Sequence, residues 1–146
     1  MKIILACDAQ WYDLTQQIIK ILEKEDIWYY CNGASNNKDN VQLDVFLHQA
    51  AQEIIDEKTF WIFVSGNGID MNIWANKTNW VRATLCSNFN QARWAREENN
   101  VNVLCIAAWE EEYLELNNII KTFIKSEFKN KDNQELFSKI ENNSNK

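Results

Sequence analysis

Phe60-Trp61-Ile62-Phe63-Val64-Ser65-Gly66-Asn67-Gly68-Ile69 decides the fold of this chain. Five apolar residues in an unbroken run are the pattern of a strand covered on both faces. A turn carrying two of the chain's three glycines follows at once. Ile69 to Lys77 then reads as a short helix. A strand that breaks into such a turn leaves bare backbone N–H groups where the helix begins, and positive partial charge gathers there. The sequence therefore predicts an anion-binding turn at Ser65 to Gly68.

Upstream of this stretch, Lys2 to Ala6 reads as a buried strand ending at Cys7-Asp8, and Leu14, Ile18, Ile21 and Leu22 recur at helical spacing. Ile27 to Cys31 is a second strand, closed by Asn32-Gly33. A polar loop from Ala34 to Asn40 leads to a helix whose apolar face is Leu43, Phe46, Leu47, Ala50 and Ile54. Downstream, Val81 to Cys86 is strand four, Phe89 to Glu98 a helix, and Asn102 to Ala107 strand five. Leu116, Ile119, Ile120, Phe123 and Ile124 mark a long helix, and Asp132 to Ile140 a last one. The tail Glu141 to Lys146 is polar and expected to fray.

Alternating strands and helices predict a Rossmann-like, doubly wound α/β fold with a parallel sheet of about five strands, one domain over residues 1–146. Ligands of such sheets collect at the carboxyl ends of the strands, where the chain reverses direction across the sheet. Asp8 and Ser65 to Gly68 fall on that edge. Glu97-Glu98-Asn99-Asn100 comes just before strand five, hence on the opposite edge. A site that uses both clusters is shared between two chains.

Composition narrows the function. With 146 residues, 46% hydrophobic and 12% aromatic, the chain is sized for one core. A net charge of −6, with guanidinium only at Arg82, Arg93 and Arg96, argues against a nucleic-acid surface. No apolar stretch approaches the roughly 18 to 20 residues of a membrane span, and Met1 to Leu5 runs into Asp8 without a cleavage-type segment, so a cytoplasmic location is expected. The four cysteines read as reduced core fillers. No C-x-x-C pair exists and His48, a surface or boundary residue, is the only imidazole, so neither metal nor cofactor is expected.

The segment Ile62 to Lys77 resembles the C-G-T-G-I-G-x-x-x-x-A-N-K signature of the ribose-5-phosphate isomerase B and galactose-6-phosphate isomerase family. Val81-Arg82-Ala83 is similar to its I-R-A strand, Ala95 to Leu104 to its A-R-E-H-N-x-x-N-V-L block, and Met1 to Asp8 to its M-K-I-A-I-G-C-D. Glu98 in place of histidine and the ending Phe123 to Lys129 look most like the galactose-6-phosphate isomerase B subunit. The resemblance implies metal-free aldose–ketose isomerisation of a phosphorylated sugar through an enediolate held by the turn amides. The partner it implies is a second copy or a related, arginine-bearing subunit; the alternative is an inactive family member with a structural or regulatory role.

By the same resemblance the candidate catalytic residues are Asp8, Ser65, Asp70 and Glu98, and the candidate substrate-binding residues are Gly66, Asn67, Gly68 and Asn99. Several positions depart from the family pattern. Ser65 stands where the usual base is cysteine, and a hydroxyl without a neighbouring histidine is a poor base. Ala9, Gln10 and Trp11 replace H-x-G, Gln42 a tyrosine and Trp109 an arginine. Asp132 and Leu136 occupy the spacing of two phosphate-gripping arginines. Asp70 falls one residue, about 100° of helix, before the carboxylate that one branch uses as base. Each candidate also has a plainer role. Asp8 could be a turn acid, Ser65 or Asn99 a cap, Asp70 a dipole partner and Glu98 an exposed helix end. Trp11, Trp74, Trp80, Trp94 and Trp109 could stack on sugar or fill an interface.

Overall fold

A computed structural model of the chain describes residues 1–39, 41, 43–54, 58–109 and 112–143. Strands β1 (Lys2–Cys7), β2 (Trp28–Cys31), β3 (Thr59–Ser65), β4 (Ala83–Leu85) and β5 (Val103–Ala107) pair in parallel in the order β2-β1-β3-β5-β4. Between and after them run α1 (Tyr12–Lys24), entered through a 3-10 turn at Ala9–Trp11, α2 (Leu43–Glu53), α3 (Ile69–Ala75), α4 (Phe89–Glu97), α5 (Tyr113–Lys125) and α6 (Lys131–Asn143). This is the doubly wound α/β sheet that the alternation of elements predicts.

The period of two along each strand sorts the core into two layers. Ile3, Leu5, Ile62, Val64, Leu104 and Ile106 pack with side chains of α1, α4 and α5. Ile4, Ala6, Trp61, Phe63, Val103 and Cys105 pack with Phe46 and Ala50 of α2 and Met71 and Ala75 of α3. Every residue of β3 is buried. Its apolar centre, Phe60 to Val64, is stable only between two such layers, and burial of each large side chain contributes roughly 1.5–3 kcal/mol.

Four expectations are corrected. Strand four is shorter than Val81 to Cys86, because flanking groups take its backbone. The amide of Val81 donates to the Thr78 carbonyl (3.2 Å), that of Arg82 to Asn102 Oδ1 (2.8 Å), and the Asn76 side chain bonds both the N–H and the C=O of Ala83 (2.9 Å each). The helix after the glycine turn stops at Ala75. Cys7, Cys86 and Cys105 are buried as expected and outside any disulfide, but Cys31, also outside one, is exposed, since β2 lies at the sheet edge. Glu141 does not fray: α6 continues to Asn143, and Glu141 Oε1 accepts from Arg82 Nη1 at 2.6 Å. Gln42, Asn40 and residues 144–146 lie outside the described residues.

One buried cation organises the α4–β5 connection. Arg96 is 6% exposed, its guanidinium 4.3 Å from the Phe60 ring and 5.7 Å from that of Phe123. Its Nη1 donates to the Val101 carbonyl and to Asn100 Oδ1 (3.3 Å). Burial, reinforced by the like charge of Arg82, pushes its pKa down to about 10. The aromatic rings and the apolar stem carry much of what this residue contributes. Arg96→Ala is therefore expected to lower the unfolding free energy by about 2–4 kcal/mol in a denaturant titration, with Arg96→Met losing much less. Equal losses for both would show that the charge, not the packed stem, matters.

Candidate active site

From β1 the chain passes to β2 on one side of the sheet, and from β3 it passes to the β4–β5 half on the other. The carboxyl ends of β1 and β3 are therefore the switch point of the sheet. Their register pairs Cys7 with Val64, which sets Asp8 and Ser65 side by side at that edge. Asp8 is held there by its own turn, Oδ1 accepting from the Gln10 amide at 3.0 Å.

The glycine turn follows. Gly68 has φ +70°, and a Cβ on it would lie 2.5 Å from Leu85 Cδ1 and 3.2 Å from the Ala107 amide nitrogen. Gly66 lies against an indole: a Cβ there would meet the Trp109 ring at 2.7 Å, and the Trp109 amide donates to the Gly66 carbonyl at 3.0 Å. Trp109 is 66% exposed and meets half-buried Trp11 edge to face, with centroids 6.2 Å apart. Neither glycine tolerates a side chain without displacing a neighbour.

The expectation of bare N–H groups at the helix start is corrected. Asn67 Oδ1 accepts from the amides of Ile69 (2.7 Å) and Asp70 (3.4 Å), Asp70 Oδ1 from that of Met71 (2.8 Å), and the Gly68 carbonyl from that of Asn72 (3.2 Å). Asn, a good capping side chain, has taken the helix donors for itself. The amides that remain are those of the turn. Gly66, Asn67 and Gly68 donate to none of the described residues.

Ser65 does not cap the helix. It is 2% exposed, and its hydroxyl donates to Asp70 Oδ1 at 2.7 Å. The sequence left Ser65 without a neighbouring base and Asp70 one residue out of place; the turn brings them together. Asp70 is half-buried, and its Oδ2 takes no hydrogen bond from a described residue. Burial pushes the thiols of Cys7 and Cys105 up, Asp8 adding to the shift at Cys7, so neither offers a thiolate. The signal for the Ser65–Asp70 pair was present in the sequence as a hydroxyl and a carboxylate five residues apart across a two-glycine turn.

Glu98 and Asn99 lie elsewhere. Both are exposed past the end of α4, ahead of β5 and so on the amino-terminal edge of the sheet. Glu98 Oε2 accepts from Asn130 Nδ2 and its carbonyl from Asn133 Nδ2, both at 2.8 Å, while Asn99 donates to the Trp94 carbonyl at 3.0 Å. Six of the eight candidates, Asp8, Ser65, Gly66, Asn67, Gly68 and Asp70, thus meet at one edge of a single chain, and these two do not. His48 is exposed, as are Asp132 and Leu136 on α6. Among the described residues no group of three or more His, Cys, Asp or Glu could hold a metal ion, and no helix is long and apolar enough to cross a membrane.

A glycine turn at the switch point, ending β3 and opening α3, is where doubly wound α/β proteins bind their ligands. The chain belongs to the ribose/galactose isomerase family, whose profile matches residues 3–140. A Rickettsia conorii protein provisionally named a sugar phosphate isomerase is 30% identical over 94% of this chain and 96% of its own length. The galactose-6-phosphate isomerase subunit LacB of Clostridium acetobutylicum is 27% identical, over 97% of this chain and 82% of its own. The ribose-5-phosphate isomerase B of Clostridium thermocellum superposes with a TM-score of 0.88 at 27% identity, covering 99% of this chain and 98% of its own.

The geometry of the turn makes Gly68→Ala a sharp test. A positive φ and backbone contacts at 3.2 and 3.3 Å leave no relaxation route except movement of β5 or of the turn itself. The expected cost is about 1–3 kcal/mol of stability, read from thermal or chemical unfolding. A stability equal to the parent's would mean that the turn has a second, side-chain-tolerant conformation.

Proposed function

We propose that the chain is an aldose–ketose isomerase acting through an enediolate, with Asp70 as the base. The Ser65–Asp70 hydrogen bond, at the foot of a turn whose amides are free of described partners, carries this reading. One carboxylate oxygen is fixed by Ser65 and by the Met71 amide, which leaves Oδ2 to take a proton. Asp70 removes the proton from the carbon beside the sugar carbonyl. The C–H electron pair becomes the carbon–carbon double bond, and the carbonyl pair moves to oxygen. The amides of Gly66 to Gly68 hold that oxygen, where preformed donors are worth most. Asp8 moves a proton between the two oxygens, and Asp70 returns its own to the neighbouring carbon. Ser65, buried below the carboxylate, acts as a positioning residue.

The relatives' names point to sugar phosphates of the ribose-5-phosphate or galactose-6-phosphate type. The proton transfer itself requires only the carbonyl and the neighbouring hydroxyl. Glu98 and Asn99 enter the same site if a second subunit, a copy or a related arginine-bearing chain, presents its amino-terminal edge to the carboxyl edge of the first. The attachment of Glu98 to Asn130 and Asn133, and of Asn99 to the Trp94 carbonyl, supports this, since it holds a polar block at a fixed place on the surface.

Asp70→Asn is expected to lower solvent deuterium incorporation into the product by about 10²–10⁴-fold, and Ser65→Ala by a smaller factor. An undiminished rate in Asp70→Asn would overturn its assignment as base. For the shared site, Asp70→Asn and Glu98→Gln chains, each impaired alone, should regain activity when unfolded together and refolded as a mixture, because mixed dimers contain one intact site. No recovery on mixing would place all working groups in one chain.

A further inference from the structure

We propose that Trp109 is a positioning residue: with Ala108 it forms a strut from the end of β5 that aims the amides of Gly66 and Asn67 at the reacting oxygen. The catalytic consequence of the strut rests on the isomerase reading, whereas the ordering of the two amides does not.

The main chain carries the first half of the inference. β5 pairs Ala107 with Ser65, and the two residues beyond it go on donating to the end of β3. The Ala108 amide bonds the Ser65 carbonyl at 2.9 Å and the Trp109 amide bonds the Gly66 carbonyl at 3.0 Å. Within one planar trans peptide the C=O and the N–H point in opposite directions. The Ser65 carbonyl shares its peptide with the Gly66 N–H, and the Gly66 carbonyl shares its own with the Asn67 N–H. Holding both carbonyls toward residues 108 and 109 therefore turns both N–H groups the other way, away from β5. Successive N–H groups of a strand alternate sides; here two in succession share one side, and such a pair makes a concave seat for a negatively charged oxygen. β3 lies between β5 and β1, so this is the side on which β1 delivers Asp8.

The side chain carries the second half. Glycine gives the turn more conformational freedom than any other residue would. The Trp109 indole restricts it at Gly66, where a Cβ would lie 2.7 Å from Cζ2, 2.8 Å from Cε2 and 3.3 Å from Cη2 of the ring. The ring thus occupies the space beside the Gly66 α-carbon. Trp11, packed against the core, meets it edge to face at 6.2 Å and 76° and keeps it there. At 66% exposure Trp109 gains little from burial, so its place is explained by what it holds.

Steady-state constants of Trp109→Ala and Trp109→Phe, measured with whichever of ribose 5-phosphate and galactose 6-phosphate the parent chain isomerises, distinguish a strut from a wall that merely binds sugar. Loosened amides weaken the hold on the enediolate oxygen. Trp109→Ala should therefore lower kcat by about 10–100-fold with KM nearly constant, and Trp109→Phe, which still covers Gly66, should recover most of the loss. Gly66→Ala displaces the ring from the other end, so the Gly66→Ala/Trp109→Ala double variant should lose no more than the worse single variant. A raised KM at unchanged kcat in Trp109→Ala, or losses that multiply in the double variant, would overturn the proposal. Amide relaxation NMR reads the ordering without turnover. The order parameters of Gly66 and Asn67 should fall from the rigid range, about 0.85, toward about 0.6 in Trp109→Ala and stay high in Trp109→Phe. Unchanged order parameters in Trp109→Ala would also overturn it. A fall in a chain whose parent isomerises neither sugar would uphold the strut and count against the isomerase reading instead.

Discussion

Gly68 must fit where no side chain can. At the end of β3 the backbone turns so that a Cβ at Gly68 would run into Leu85 and press on the main chain of Ile106 and Ala107. The left-handed φ of +70° at that point costs glycine little and any other residue about 1–2 kcal/mol before the clash is counted. Everything at the carboxyl edge follows from this crossing. It starts α3 close enough to the sheet for Asp70 to reach back to Ser65. It also leaves the Gly66 surface flat enough to receive Trp109, whose main chain then bonds the Gly66 carbonyl.

The distribution of charge follows a division of labour between the two ends of the sheet. Cations are consumed in holding helices together: Lys121 and Lys125 on Glu25 tie α5 to the end of α1, and Lys129 on Glu97 ties the α5–α6 connection to α4. Both lysines hold the Glu25 carboxyl below the usual carboxylate range. Exposed pairs of this kind add little stability each. Their larger consequence is to tie α5 to α1 and α4 at the end of the sheet away from Asp8 and Asp70.

The sheet was legible in the sequence because its five apolar runs alternate with helical spacings, and the turn because glycine is so scarce in this chain. What stayed hidden was contact across the turn. Ser65 and Asp70 are five residues apart, a spacing that corresponds to no face of a regular helix or strand, so neither periodicity reveals that they touch. The capping by Asn67 was likewise invisible, because an asparagine between two glycines reads equally as a turn former and as a cap. The Trp11–Trp109 pair joins residues almost a hundred positions apart, and only the adjacency of β1, β3 and β5 brings their loops together.

The amino-terminal edge presents the complementary problem. Glu98 and Asn99 are exposed, yet their surroundings are ordered from below by Arg96, which sits between Phe60 and Phe123 and grips Asn100 and the Val101 carbonyl. Asn100 adopts a positive φ of 45°, a conformation asparagine accepts more readily than most residues. Arg82 adds a second clamp, its Nε on the Asn100 carbonyl and its Nη1 on Glu141. Burying one guanidinium without a carboxylate partner, and straining the residue beside it, costs free energy that a simple helix-to-strand connection does not require. A surface loop fixed at that expense keeps Glu98 and Asn99 in one place, which is what the proposed shared site asks of this edge.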